Sequence, residues 1–200
     1  MFASGPFIAG LLVIVMLGIG AYGATSFLLT QYTQVGLGFS AERFGVIAAV
    51  NAAAACLASF AAQRAATRFG TRAVAVGCLG CAAAACLLLL GVTGAAPVLV
   101  MICGLTLFGI GLGAGTVTGS VSALIDIPER YSGAASGVTS AAFQIGGAVG
   151  IAGLSTMFAI GSRAGSLANG VHWGFLAAAA LIAAGGVAVA FLLRPMSRML

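Results

Sequence analysis

Long apolar stretches alternate with short polar ones along the whole chain. Each apolar stretch is close to the ~20 residues that a helix needs to cross a bilayer. Transmembrane β-strands would alternate polar and apolar residues, whereas segments such as 81–90 are apolar throughout. The pattern therefore predicts an all-α membrane protein, a bundle of six helices with spans at about 7–30, 44–62, 73–92, 98–125, 132–160 and 173–193.

Composition supports a chain that lies in lipid. Hydrophobic residues make up 62% and charged residues 6%, with a mean hydropathy of +1.20, whereas a soluble domain carries about a quarter charged residues. The net charge is +5, but its arginines are scattered, so no basic patch exists for nucleic acid. The segment before Phe7 has no positive charge, so we interpret the first stretch as a true span and not as a signal peptide.

The arginines indicate an orientation. With six spans, two arginines fall on one side of the membrane, Arg43 and Arg163, and the other six fall on the opposite side. Because positively charged loops stay in the cytoplasm, we expect both termini there, in a multi-pass protein of the cell membrane (plasma or inner). The six are Arg64, Arg68, Arg72, Arg130, Arg194 and Arg198.

Polar residues are distributed unevenly among the spans. The third and sixth spans contain no Ser, Thr, Asn or Gln, which predicts lipid-facing helices, while the other four are expected to surround a cavity. A single Ser or Thr can instead bond its own helix, and Asn51 or Gln144 can instead join two helices. The predicted cavity wall offers aromatic surface and neutral hydrogen bonding, suited to small amphipathic substrates: Tyr22, Thr25, Gln31, Asn51, Phe143 and Gln144.

Glycines recur on faces of the fourth and fifth spans. Small residues let membrane helices approach closely, so we expect close contacts there, either static or sliding. In the fourth span these are Gly109, Gly111, Gly113, Gly115 and Gly119, and in the fifth Gly133, Gly137, Gly146, Gly147 and Gly150.

Three stretches carry a family resemblance. Residues 63–72 resemble the G-x-x-x-D-R-x-G-R-R loop of the major facilitator superfamily, with matches at Arg68, Gly70 and Arg72 but not at Gln63 and Thr67. Residues 128–137 and 144–152 resemble P-x-x-x-x-G-x-A-S-G and Q-x-G-G-A-x-G-x-A of its EmrB/QacA-type multidrug efflux branch. Residues 29–40 are similar to the end of the first span in the second half of these transporters.

The resemblance implies the C-terminal half of a major facilitator fold, built from two inverted three-helix repeats. It implies efflux of amphipathic drugs by proton antiport, together with an N-terminal six-helix half in the same gene or a separate chain, or a second copy as a homodimer. We expect the chain to be a fragment or a truncated product. Glu42, Asp126 and Glu129 all lie at predicted helix ends or in loops, so the proton-carrying acid is expected in the other half, and Asp126 is expected to pair with Arg130. The alternatives are an exporter of a native metabolite and a non-transporting membrane subunit.

An enzymatic function is not expected. Ser136, beside Gly137, would need His172 as a partner in an intramembrane serine protease, but the predicted topology places them at opposite membrane faces. His172, beside Trp173, is interpreted as an interfacial anchor. We expect no metal, cofactor or disulfide, because the cysteines fall inside spans without other ligands: Cys56, Cys78, Cys81, Cys86 and Cys103.

Overall fold

The computed structural model describes residues 5–163 and 165–193. This part of the chain forms six long apolar helices. The predicted number of long apolar helices, six, is confirmed for the described residues. The helices are α1 (Gly5–Gly18, continued by wide turns over Ile19–Leu28 and Gln31–Gly36), α2 (Ala41–Phe69), α3 (Thr71–Leu88, ending in a 3-10 turn over Leu89–Thr93), α4 (Pro97–Leu124), α5 (Ser132–Arg163) and α6 (Leu167–Leu192).

Ordinary capping signals set several helix starts. The Ser40 hydroxyl accepts a hydrogen bond from the Arg43 N–H at 3.2 Å and begins α2, and Ser166 does the same for α6. Pro97 occupies the first turn of α4, where its missing N–H has no helical partner to lose. These residues therefore mark where α2, α4 and α6 begin.

The loop predicted between the second and third spans is wrong, because these residues are helical. Helix α2 continues through residues 63–69, and the chain turns at Gly70 alone, so Arg68 lies in the last turn of α2 and Arg72 in the first turn of α3. Residues 63–69 contain no helix breaker, whereas Gly70 adopts φ +83°, a conformation that favours glycine. The motif residues are therefore held on two helix ends.

Helix α1 is longer and less regular than predicted. The first span was expected to end near Thr30, but helical turns continue to Gly36. Over Ile19–Leu28 the turns are π-helical, and the Ser26 hydroxyl donates to the Ala21 carbonyl, five residues back, at 2.8 Å. Turns of this width are rare in helices and are often found at functional sites.

Helices α1 and α4 lie at the centre of the bundle. Helix α4 packs on α1, α2 and α3, whereas α1 also packs on α5 and α6, and α3 contacts α6. The least buried are α2 and α5, with 11% and 22% of their most apolar segments covered. That α3 and α6 face lipid stays a prediction; each has one face packed in the bundle, where alanine and glycine allow close approach.

One end of the bundle carries most of the described arginines. The turn at Gly70 and the α4–α5 connection meet at this end, which we call the arginine end and which carries Arg64, Arg68, Arg72 and Arg130. The Arg130 guanidinium lies 4.9 Å from the centroid of the Tyr131 ring, and the expected ion pair with Asp126 is not formed between these two described residues. That this end faces the cytoplasm stays a prediction, and Arg194, Pro195 and Arg198 lie outside the described residues.

A candidate substrate cavity between three helices

A cavity of about 320 Å³ lies between α1, α4 and α5, in the half of the bundle nearest the arginine end. It is close to the smallest volume usual for a ligand pocket, about 300 Å³. Its lining carries hydroxyl groups, one amide and one aromatic ring, and no charged side chain: Ile14, Thr116, Ser120, Thr139, Ser140, Phe143 and Gln144. The wall can therefore hydrogen-bond a neutral polar group and also contact an apolar one.

The hydroxyl groups fall into two kinds. The Thr116 hydroxyl donates to the Gly113 carbonyl at 3.1 Å, and the Thr139 hydroxyl donates to the Ser136 carbonyl at 2.8 Å, so each keeps only acceptor capacity toward the cavity. Within the described residues, the hydroxyls of Ser120 and Ser140 have no partner. These two serines are free to donate to a ligand or to water.

Tyr22 adds an aromatic wall beside the cavity. Its hydroxyl donates to the Gln144 side-chain oxygen at 3.0 Å, and its ring lies 5.6 Å from the Phe143 ring at 59°. Phe143, Gln144 and Gly147 share one face of α5, and a Cβ added at Gly147 would overlap the Tyr22 ring. The wide turns of α1 thus present Tyr22 to this face of α5.

Glycines bring α1 and α5 together at this site. A Cβ at Gly146 would overlap the backbone of Val15, one at Gly150 would overlap Ile19, and one at Gly18 would overlap Phe143. Close contact was predicted for Gly146, Gly147 and Gly150, and all three make it. Gly133 and Gly137 have no atom within 4 Å of an added Cβ in the described chain, so for them the prediction is not met, because the start of α5 has no helix packed against that face.

The structure brings three of the six predicted wall residues together: Tyr22, Phe143 and Gln144. Thr25 is buried, and its hydroxyl donates to the Ala21 carbonyl at 2.8 Å. Gln31 lies in the second wide-turn segment of α1, beyond the cavity lining. Asn51 packs against Gly109 of α4, and its side-chain oxygen is buried without a partner among the described residues.

Four hydroxyl residues of the lining were not chosen from the sequence. Thr116, Ser120, Thr139 and Ser140 are embedded polar residues of the fourth and fifth spans. Ser140 precedes Phe143 by three residues and Gln144 by four, so all three share one helical face. This spacing was the signal by which Ser140 could have been predicted as a lining residue. Nothing in the sequence indicates that α4 presents Thr116 and Ser120 toward that face.

Comparison with known proteins decides the family. The sequence model of the Major Facilitator Superfamily matches residues 10–199. The chain belongs to the Major Facilitator Superfamily. One similar protein is the multidrug efflux pump LfrA of Mycolicibacterium smegmatis, 29% identical over 153 residues. That match takes in 76% of this chain and 30% of LfrA, so the chain spans only a part of the relative's length.

Membership in the Major Facilitator Superfamily, with six helices long enough to cross a bilayer, makes the chain a multi-pass membrane protein of a transporter family. The geometry gives no support to a serine protease, because Ser136 and His172 lie near opposite ends of the antiparallel helices α5 and α6, about 30 Å apart along the helix axes. The His172 Nδ1 donates to the Ala168 carbonyl at 3.0 Å, and its Nε2 lies 3.4 Å from the Thr93 hydroxyl. In the described part of the chain, no group of three His, Cys, Asp or Glu residues is placed to hold a metal ion.

Proposed function

We propose that this chain is the C-terminal six-helix half of an EmrB/QacA-type transporter that exports amphipathic organic compounds by proton antiport. The observation that carries the proposal is the uncharged polar cavity beside the Tyr22–Phe143 ring pair. Hydroxyls and one amide bind neutral polar groups in several orientations, and aromatic faces accept flat apolar groups. A wall of this composition suits varied amphipathic ligands better than one ionic metabolite.

The name of one relative supports export as the direction of transport. A similar protein, LfrA, is named as a multidrug efflux pump, and its match covers 153 residues of this chain. The cavity is open, and α5, which forms part of its wall, is poorly covered by the other helices. We propose that a first six-helix half closes the cavity, and that rocking of the two halves exposes it to each side of the membrane in turn.

Proton coupling is assigned to that first half. The chain has three acidic residues, and none lies in the middle of a helix: Glu42 is in the first turn of α2, and Asp126 and Glu129 are in the α4–α5 connection. An antiporter needs an embedded ionisable group to carry the proton. In this proposal the second half supplies ligand contacts and the first half supplies the coupling carboxylate.

Gln144→Ala tests the cavity assignment. The transporter, with its first half present, is studied in inverted membrane vesicles by uptake of a panel of fluorescent amphipathic dyes driven by an imposed pH gradient. Loss of the amide should change the relative transport of the dyes by about threefold to tenfold, the value of one hydrogen bond, because dyes differ in how far they use it. Val149→Ala, an exposed residue on the same helix outside the lining, is the matched control.

The outcomes separate the proposals. A changed dye ranking with Gln144→Ala and an unchanged one with Val149→Ala supports the cavity assignment. Equal rankings for both variants and the wild type would remove Gln144 from the substrate path. Vesicles that take up no dye at all, with both halves shown to be present, would contradict drug export itself.

A further inference from the structure

A groove separate from the polar cavity runs along α2. It consists of two adjoining cavities of about 410 and 370 Å³, which share Ala62. Small side chains of α2, such as Ala54 and Ala58, form one wall, and Ile110 and Ala114 of α4 form the other. The first cavity is almost wholly apolar, whereas the second also has Gln63, Thr67 and Thr71 in its lining. The groove thus changes from apolar to polar toward the end of α2.

Contacts between helices keep this groove apart from the polar cavity. Helix α4 contacts α2 through Gly113, which meets Ala55, and contacts α3 through Gly111, which meets Cys78. The groove residues Ile110 and Ala114 lie between these two contacts on the α4 surface, whereas Thr116 and Ser120 of the polar cavity lie on the other side of the α2 contact. The groove therefore opens between α2 and α3, and Leu57 at its edge is 72% exposed.

The length of the groove matches one leaflet of a bilayer. Helix α2 extends over Ala41–Phe69, so Ala54 lies near its middle and Thr67 near its end. Thirteen residues at 1.5 Å each span about 20 Å, compared with ~15 Å for half of a hydrocarbon core. One extended acyl chain of the leaflet at the arginine end would fill the groove.

Positive charge surrounds the polar end of the groove. Arg64 and Arg68 directly follow the lining residues Gln63 and Thr67 of α2. Arg72 follows Thr71 in α3, and all three arginines are exposed. The sequence has no Asp or Glu between Arg43 and Asp126, and in the described residues none of the three arginines forms an ion pair with a carboxylate. Three uncompensated cations at the membrane surface attract an anionic headgroup.

We propose that this groove binds an anionic phospholipid, with one acyl chain against the alanines of α2 and the headgroup phosphate against Arg64, Arg68 and Arg72. The side chains of Gln63 and Thr71 can donate hydrogen bonds to the headgroup phosphate, whereas the Thr67 hydroxyl already donates to the Arg64 carbonyl at 2.9 Å and keeps only acceptor capacity. The Phe69 ring lies 5.4 Å from the Arg68 guanidinium, at the same end of α2 as the proposed headgroup site. The ligand is a bilayer lipid and differs from the cargo of the polar cavity.

Native mass spectrometry of the full chain in detergent tests the headgroup part. The protein is titrated with phosphatidylglycerol or with phosphatidylcholine of the same acyl chains, and bound lipid is counted. We expect retention of phosphatidylglycerol to exceed that of phosphatidylcholine, and Arg68→Gln to lower it about fivefold. Arg163→Gln removes the same charge at the opposite end of the bundle and should leave it unchanged. Equal retention of both lipids, or an equal effect of the two substitutions, would overturn the proposal.

A second pair of variants tests the acyl-chain part. Ala58→Leu fills the groove and should lower retention of phosphatidylglycerol, whereas Ala180→Leu fills an apolar cavity of about 430 Å³ between α5 and α6 and should not. Millimolar inorganic phosphate should fail to displace the lipid, because the acyl chain contributes to binding. Displacement by phosphate, or no effect of Ala58→Leu in a protein that elutes as the wild type does, would exclude a lipid in the groove.

Discussion

At the scale of single residues, Tyr22 is held from three sides. Its hydroxyl donates to Gln144, its ring packs on Phe143, and Gly147 leaves the space beneath the ring. Two of these partners also line the polar cavity. The position of one aromatic ring on α1 therefore depends on three neighbouring positions of α5.

Gly147→Ala should disturb this arrangement. The added Cβ would overlap the near edge of the Tyr22 ring, so the ring must move and its hydrogen bond to Gln144 must weaken. We expect dye rankings in the vesicle assay to change as they do for Gln144→Ala. Gly153→Ala, on the same helix with open space around its Cβ, is the control. If Gly147→Ala and Gly153→Ala give the wild-type ranking alike, Tyr22 has no part in substrate choice.

The sequence predicted some of these residues and missed others for one physical reason. Helical periodicity shows which side chains share a face, so Phe143 and Gln144 could be grouped correctly. It does not show which neighbour that face meets. Thr25 looked equivalent to Tyr22, yet its hydroxyl bonds its own helix, and Asn51 lies against the backbone of α4 at Gly109. The partner helix was the missing information.

At the scale of elements, α4 uses glycine to approach three helices. Gly109 and Gly113 meet α2, Gly111 meets α3, and Gly119 meets α1. Each contact is so close that a Cβ would overlap or crowd the neighbouring helix. Because no strong hydrophobic force acts between helices in lipid, such close packing is a main source of helix association. Helix α4 can lie at the centre of the bundle only because glycine has no side chain at these positions.

Gly113→Ala should therefore destabilise the bundle. Its Cβ would overlap the backbone of Ala55, so α2 and α4 must separate. Overpacking of this kind costs about 1–3 kcal/mol, which predicts a melting midpoint about 5 °C lower in detergent. Gly80→Ala on α3, where nothing lies within 4 Å, should leave the midpoint unchanged or slightly higher. Melting curves that rank the two variants in the opposite order would contradict this packing.

Helix ends were predicted well where a breaker marks them and poorly elsewhere. Pro97 and Ser166 mark the starts of α4 and α6. The second span was predicted to end at Ala62 because charge begins there, but arginine is a good helix former, and α2 continues to Phe69. The wide turns of α1 pack against α5, a contact that the local sequence does not show.

At the scale of the whole molecule, the two least buried helices are α2 and α5, and α5 lines the polar cavity. Helices α2 and α5 have 11% and 22% of their most apolar segments covered, compared with 61% for α1. Lipid can cover such surfaces, but a transport path also needs a wall opposite the cavity. The polar lining of Ser120, Ser140 and Gln144 is unsuited to contact with acyl chains.

We therefore expect transport to require a second six-helix unit. The 200-residue chain reconstituted alone should show no dye uptake driven by a pH gradient, because it has no embedded acid to carry the proton. Addition of a first half should restore uptake. The assembly state is checked by light scattering of the same sample. Uptake by a monomeric chain would contradict the division of roles proposed above, and restored assembly without uptake would favour a non-transporting subunit.

Trp173 makes the molecule selectively visible to optical spectroscopy. It is the only tryptophan, it is 57% exposed, and it lies beside Gly161 at the end of the bundle opposite the arginine end. Along α5, Gly161 is 17 residues from Gln144, or about 25 Å. Intrinsic fluorescence will therefore respond to movement of α5 against α6 and will not be quenched by contact with a compound in the polar cavity. For a compound that does not absorb at the tryptophan emission wavelengths, an emission change therefore signals helix motion.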